Sequence, residues 1–175
     1  MIRKDVITMG GNPLTLIGTE CVVGGEAANF KAISQDLSEF DFYRDATKKI
    51  NIISVVPSLD TDVCELQTKR FNKEATNLSE DVGIITISVD LPFAQKRFCG
   101  AEGIDNIQVV SDYKYLDFGM KYGFVIEELR LLARGIVVVD SEKKVQYVEY
   151  VKELTNQPDY EKALEVVKQL VGGKA

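Results

Sequence analysis

The chain has no histidine, and that one absence removes His-based catalytic triads, imidazole general bases and most zinc and haem sites. Its chemistry must run on cysteine, carboxylate, lysine, arginine or tyrosine side chains, or on a bound cofactor. Cysteine is scarce as well. Cys21, Cys64 and Cys99 are too few and too scattered for a structural disulfide framework. They include no C-x-x-C pair and lack a fourth thiolate or imidazole, so no metal site is expected. No window approaches the roughly 18 consecutive apolar residues of a membrane span. The charged start Met1-Ile2-Arg3-Lys4-Asp5 is not followed by the apolar segment of a secretory signal, so the reducing cytoplasm is the expected location. Basic runs never exceed two residues and the net charge is −6, which argues against a nucleic-acid partner.

What is present reads as an ordinary globular chain. With 175 residues, 45% of them hydrophobic and 27% charged, it can bury a core without disulfide support, and one domain over 1–175 is expected. Val6-Ile7-Thr8-Met9, Gly10-Gly11-Asn12-Pro13 and Leu14-Thr15-Leu16-Ile17 read as strand, turn and strand. A second short pair is expected over 30–34 and 39–43. The β-branched run Ile50-Asn51-Ile52-Ile53-Ser54-Val55-Val56 suits a strand buried on both faces. A helix is expected from Asp62 to about Ala75, a strand over 83–89, and a short helix over 92–99 with Gly100 just past its end. Strands over 107–110, 134–140 and 145–151 follow, the last two as a hairpin, and Pro158 opens a final amphipathic helix. This order predicts an α/β protein: a thioredoxin-like fold with a mixed central sheet, flanking helices and an N-terminal β-hairpin extension.

The informative segment is Pro57-Ser58-Leu59-Asp60-Thr61-Asp62-Val63-Cys64, between a buried strand and a helix. Cys64 falls in the first helical turn, where unpaired N–H groups and the helix dipole favour an anion. A free thiol of pKa about 8.5 is only a few per cent ionised at neutral pH, and about 3 kcal/mol in favour of the thiolate reverses that balance. A helix terminus supplies about 0.3–2 kcal/mol; a nearby cation must supply the rest. Thr61, three residues earlier, can bring its hydroxyl to the sulfur or to a bound oxygen, and it can also cap the helix. Pro57 fixes the backbone where the strand exits, stiffens the loop and can shield the thiolate from water.

Proline, three residues, threonine, two residues and cysteine at a strand-to-helix junction is a peroxiredoxin signature. The further blocks Gly11-Asn12-Pro13-Leu14-Thr15-Leu16, Leu91-Pro92-Phe93-Ala94-Gln95-Lys96-Arg97-Phe98-Cys99-Gly100-Ala101-Glu102-Gly103 and Leu131-Leu132-Ala133-Arg134 resemble the bacterial thiol peroxidases, a subfamily of atypical two-cysteine peroxiredoxins. The resemblance runs nearly end to end. It implies that Cys64 is the peroxidatic cysteine, that Thr61 and Arg134 complete the site, and that Cys99 of the same chain resolves the sulfenic acid as a disulfide. It also implies a hydroperoxide substrate, alkyl and lipid types preferred, reduction by thioredoxin, a homodimer and no cofactor. Arg134 suits the part of the missing cation, because its charge is permanent and its planar fork can hold a thiolate and donate to a peroxide oxygen.

The chain departs from the family where Ala27-Ala28-Asn29-Phe30 replaces Ala-Pro-Asp-Phe. That change is expected to touch stability and leave the mechanism alone. Cys21 lies outside the family pattern and reads as an inert strand residue. Two other readings share the fold: a redox sensor that passes its oxidation on as a mixed disulfide, and a non-catalytic thioredoxin-like binding domain.

Overall fold

The computed structural model describes residues 1–172, so the one-domain expectation for 1–175 extends three residues beyond the described ones. In chain order the elements are β1 (Ile2–Met9), β2 (Asn12–Ile17), β3 (Lys31–Ile33), β4 (Glu39–Asp41), α1 (Phe42–Asp45), β5 (Ile50–Val55), α2 (Asp62–Ala75), β6 (Val82–Ser88), α3 (Pro92–Glu102), β7 (Gln108–Ser111), α4 (Asp117–Tyr122), β8 (Val125–Ile126), β9 (Leu131–Leu132), β10 (Gly135–Val139), β11 (Val145–Tyr150) and α5 (Tyr160–Gly172). Seven strands form the main sheet in the order β11-β10-β5-β6-β7-β3-β4. β5, β6 and β7 run parallel while β10, β11, β3 and β4 join antiparallel. The sheet is mixed, as the alternation of β-branched runs and helical patterns implies.

β5 is buried along its whole length because helices and loops cover both sheet faces. Ile50 and Ile52 join Phe71 of α2 and Tyr160, Leu164 and Val167 of α5. Ile53 and Val55 face the other way, into a larger core with Phe30, Phe42, Phe118, Tyr122 and Phe124. Each such large side chain contributes about 1.5–3 kcal/mol by leaving water, so both faces of β5 are firmly anchored.

The N-terminal hairpin turns at Gly10-Gly11, with Met9 opposite Asn12. Both glycines have positive φ, +58° and +84°, which a two-residue turn of the twist-matched type requires. The hairpin is more than an appendage. β2 pairs with β8, and β8 with β9, in a second small sheet that ends two residues before Arg134.

Several boundaries differ from expectation: β1 begins at Ile2 ahead of Val6, and the strand expected over 39–43 ends at Asp41, where α1 begins. Gly100 lies inside α3, and the helix ends at Gly103, whose φ of +69° suits a left-handed cap. A lone glycine within a helix costs only about 1 kcal/mol, so Gly100 does not stop it. α5 begins at Tyr160, with the Asp159 carboxylate accepting from the Lys162 N–H; Pro158 stands two residues ahead of it. Arg134 precedes β10 instead of opening it.

Candidate active site

The strand register assembles the site. Gly135 of β10 stands opposite Val55 of β5 in an antiparallel pair. Arg134, one residue before β10, therefore arrives beside the end of β5, where Val56 and Pro57 lead to α2. Residues about 80 positions apart meet because one strand ends where its antiparallel neighbour begins.

Cys64 is the third residue of α2, after the cap Thr61. The Thr61 hydroxyl accepts from the Cys64 N–H at 3.3 Å and donates to the Ser58 carbonyl at 3.3 Å. It caps the helix as expected, and it makes no hydrogen bond to the sulfur among the described residues. The Cys64 side chain is fully buried in a small apolar cluster with Val56, Leu59, Cys99, Ile104 and Val109. Pro57 is buried at the strand exit. The loop that follows it is fixed by Asp90, whose carboxylate accepts from Ser58 Oγ, the Leu59 N–H and Ser88 Oγ, each at 2.7 Å.

Arg134 is only 2% exposed, and no carboxylate pairs with it among the described residues. Its Nε donates to the Leu154 carbonyl at 2.9 Å and its Nη1 to Gln67 Oε1 at 3.0 Å. Its Nη2 makes no hydrogen bond among the described residues. Gln67, buried one turn beyond Cys64 on α2, is itself locked: its Nε2 donates to Ser54 Oγ at 2.9 Å and reaches the carbonyls of Val55 and Gly135. The guanidinium is thus tied to the helix that carries Cys64. Tyr160 reports on the same neighbourhood. Burial pushes its phenol up to about 12, and the positive charges of Arg134 and Arg70 pull against that.

Cys99 lies on α3, 8% exposed, and accepts from Gln35 Nε2 at 3.4 Å. Burial raises its thiol pKa, and the Gln35 hydrogen bond works against that. All three cysteines are free thiols. Cys21 is buried elsewhere, in the core under Tyr150, and burial together with Glu20 pushes it up to about 12.

The structure therefore gathers Pro57, Thr61, Cys64 and Cys99 around one loop and one cluster, and ties Arg134 to them through Gln67. Sequence reasoning missed Gln67, Asp90, Gln35 and the Leu154 carbonyl. Gln67 alone carried a signal: a polar residue three positions after Cys64, on the inward face of a helix.

Cysteine at a helix start on a thioredoxin-type sheet, with a buried guanidinium nearby, defines a protein of the redoxin class, and a profile of the Redoxin family matches residues 22–164. The thiol peroxidase of Bacillus subtilis is 51% identical over 165 residues, covering 94% of this chain and 98% of that one. The thiol peroxidase of Halalkalibacterium halodurans is 52% identical over 162 residues, covering 93% and 96%. A peroxiredoxin-like protein from Aquifex aeolicus superposes with a TM-score of 0.86 at 39% identity, over 95% of this chain and 97% of that one. The chain belongs to the thiol peroxidases, peroxiredoxin-type oxidoreductases that reduce peroxides through a thiol.

Proposed function

We propose that Cys64 is the peroxidatic thiol and Cys99 the resolving one, with Arg134, Thr61 and Pro57 completing the site. The Cys64 thiolate attacks the terminal oxygen of a hydroperoxide. An S–O bond forms, the O–O bond breaks, and the departing alkoxide takes a proton to leave as alcohol, or as water from hydrogen peroxide. Arg134 donates from Nη2 to the oxygen that gains charge, an electrostatic contribution that is often the largest in such steps. Cys64 is then a sulfenic acid. The Cys99 thiolate attacks its sulfur, the S–O bond breaks, and hydroxide leaves as water once protonated. A dithiol reductant of the thioredoxin type restores both thiols. The enzyme works as a cytoplasmic homodimer of one-domain chains, with alkyl and lipid hydroperoxides as its preferred substrates.

The observation that carries this reading is the buried guanidinium, unpaired with any carboxylate among the described residues and bonded to Gln67, one helical turn from Cys64. A disulfide needs Cα atoms within about 7 Å, and both sulfurs sit in folded helices. Bridging two helices that share one apolar cluster is expected to open part of one of them. Lys69 bridges Glu65 and Glu102, and Asn72 holds the Asp105 and Asn106 N–H groups; these clamp the later part of α2 to the end of α3. The opening then falls on the first turn of α2, held by the single Thr61 cap.

The test is rapid quench with an alkylating agent after mixing with cumene hydroperoxide, read by mass spectrometry. One intramolecular Cys64–Cys99 disulfide per chain is expected. Cys64→Ser should abolish turnover, and Cys99→Ser should accumulate sulfenic acid and its over-oxidised forms. Undiminished turnover in the Cys64→Ser chain would overturn the assignment.

A further inference from the structure

The Leu154 carbonyl that holds Arg134 Nε is itself fixed by the N-terminal hairpin. Thr8 of β1 donates its N–H to the Lys152 carbonyl at 2.6 Å and accepts from the Leu154 N–H at 2.8 Å. Between them stands Glu153, whose carboxylate accepts five hydrogen bonds. They come from Thr8 Oγ at 2.7 Å, the Gly10 N–H at 2.9 Å, the Gly11 N–H at 3.0 Å, the Thr155 N–H at 3.1 Å and Thr155 Oγ at 2.8 Å. No cation pairs with it among the described residues. The two glycine N–H groups reach one carboxylate because both glycines adopt positive φ. These hydrogen bonds hold the Glu153 carboxyl far below the usual carboxylate range, so the clasp stays charged wherever the protein is folded.

The clasp is more than surface trim. Arg134 is gripped by this segment at two points: Nε donates to the Leu154 carbonyl at 2.9 Å, and the Val151 N–H donates to the Arg134 carbonyl at 2.9 Å. With Gln67 holding Nη1, the Leu154 carbonyl is the second of two points that fix the plane of the guanidinium, and so the direction of Nη2. A planar fork held at two points has one orientation; held at one, it can swing.

We propose that Glu153 is a positioning residue for Arg134. By clasping the β1–β2 turn it fixes the Leu154 carbonyl, and through it the aim of the guanidinium at the Cys64 site. The hairpin, remote in sequence from every reacting atom, then belongs to the catalytic apparatus. This inference rests on the proposed role of Arg134.

The experiment compares the full chain with Glu153→Ala, Glu153→Gln, Thr8→Val and Arg134→Lys. Two readouts are taken: the second-order rate constant for Cys64 oxidation, and the pH profile of Cys64 alkylation resolved by peptide mass. Glu153→Ala should slow oxidation about tenfold, less than the hundredfold that a 1 Å misplacement can cost. Glu153→Gln keeps the length and one acceptor oxygen, and should recover part of that loss. The alkylation profile should move to higher pH in the same order, which a merely structural residue would not cause. Thr8→Val removes one of the five bonds and leaves the backbone pairing intact, so it carries the test if either Glu153 variant is unfolded; it should slow oxidation about twofold, a fraction of the loss a misplaced group brings. Folded variants with lowered melting temperatures but parental rate and profile would overturn the inference. Arg134→Lys separates the two levels. If it is as fast as the parent, the role of Arg134 falls and the inference with it; if it is slow while the folded variants are parental, the inference alone falls.

Discussion

Replacing Gln67 by leucine tests the least local part of the site. The substitution keeps the approximate volume and removes every polar contact of the side chain. It leaves the Arg134 Nη1–H without its 3.0 Å acceptor in a group 2% exposed, and Ser54 Oγ without its 2.9 Å donor. A hydrogen bond to a charged group is worth about 1.5–3 kcal/mol. The contacts to the Val55 and Gly135 carbonyls, at 3.3 and 3.4 Å, are long and add little. A buried leucine recovers part of the loss by packing. The net cost should be about 2 kcal/mol, which lowers the melting temperature of a chain this size by about 4–8 °C. The larger effect is expected on chemistry, since the guanidinium keeps only the Leu154 contact and loses its fixed plane; oxidation of Cys64 should slow by about 10–100-fold. The chain has no tryptophan, so rapid quench with alkylation and mass spectrometry suits it better than indole fluorescence. A variant that melts lower yet reacts at the parental rate would refute the reasoning, because the Arg134–Gln67 bond would then be structural only.

Two further outcomes follow from buried titrating groups. Burial raises the Asp112 carboxyl to about 7, against the pull of the Phe118 and Gly119 N–H groups that it accepts from. A carboxyl raised on folding stabilises the protein at low pH, and that contribution is lost as pH climbs through the folded value. Between pH 5 and 8 the parent should lose about 2–3 kcal/mol on this account, as linkage gives for that shift. The carboxylates with lowered values, such as Glu128 and Glu153, are ionised in both states across this window and do not interfere. Asp112→Asn should flatten the slope in urea unfolding; an unchanged slope would remove Asp112 as its source. Cys21, pushed up to about 12 by burial, should stay unlabelled by iodoacetamide at pH 7 while Cys64 is modified, with peptide mass as the readout. Labelling of Cys21 as fast as Cys64 would contradict its reading as inert; the residue lies in the connection between β2 and β3 and not, as expected, in a strand.

What was legible in the sequence was whatever leaves a local pattern. β5, β6 and β10 announce themselves as β-branched runs, and α2 and α5 by helical spacing. α4 does not. It has six residues, follows Leu116 in a left-handed conformation and is capped by Asp112 from the end of β7, so neither length nor a capping box marks it. β8 and β9, two residues each, are too short for any period. At the site, Cys64 and Thr61 were legible because a helix cap is a local event. Arg134 was legible only through the resemblance. Gln67, Asp90 and Glu153 act across 67, 31 and 145 positions respectively, and no window of sequence holds both ends of such a contact.

In the proposed reading, only Cys64 of the three buried cysteines attacks peroxide, so burial alone would not decide reactivity. All are buried, and burial raises the thiol pKa of Cys21 and of Cys99. Cys21 also has the Glu20 carboxylate against it, and Cys99 has only the amide of Gln35 in its favour. Cys64 differs in two respects: it occupies the first turn of a helix, and a guanidinium with no carboxylate partner among the described residues is bonded one turn away. The choice of neutral acceptors for that guanidinium matters. A carboxylate in place of Gln67 Oε1 or the Leu154 carbonyl would satisfy the same N–H groups, but it would also cancel the positive field. A glutamine and a backbone carbonyl hold the group in place and leave its charge uncompensated, in an apolar surrounding where water screens it little. In the proposed reading, the Cys64 sulfur supplies the anion that such a site lacks.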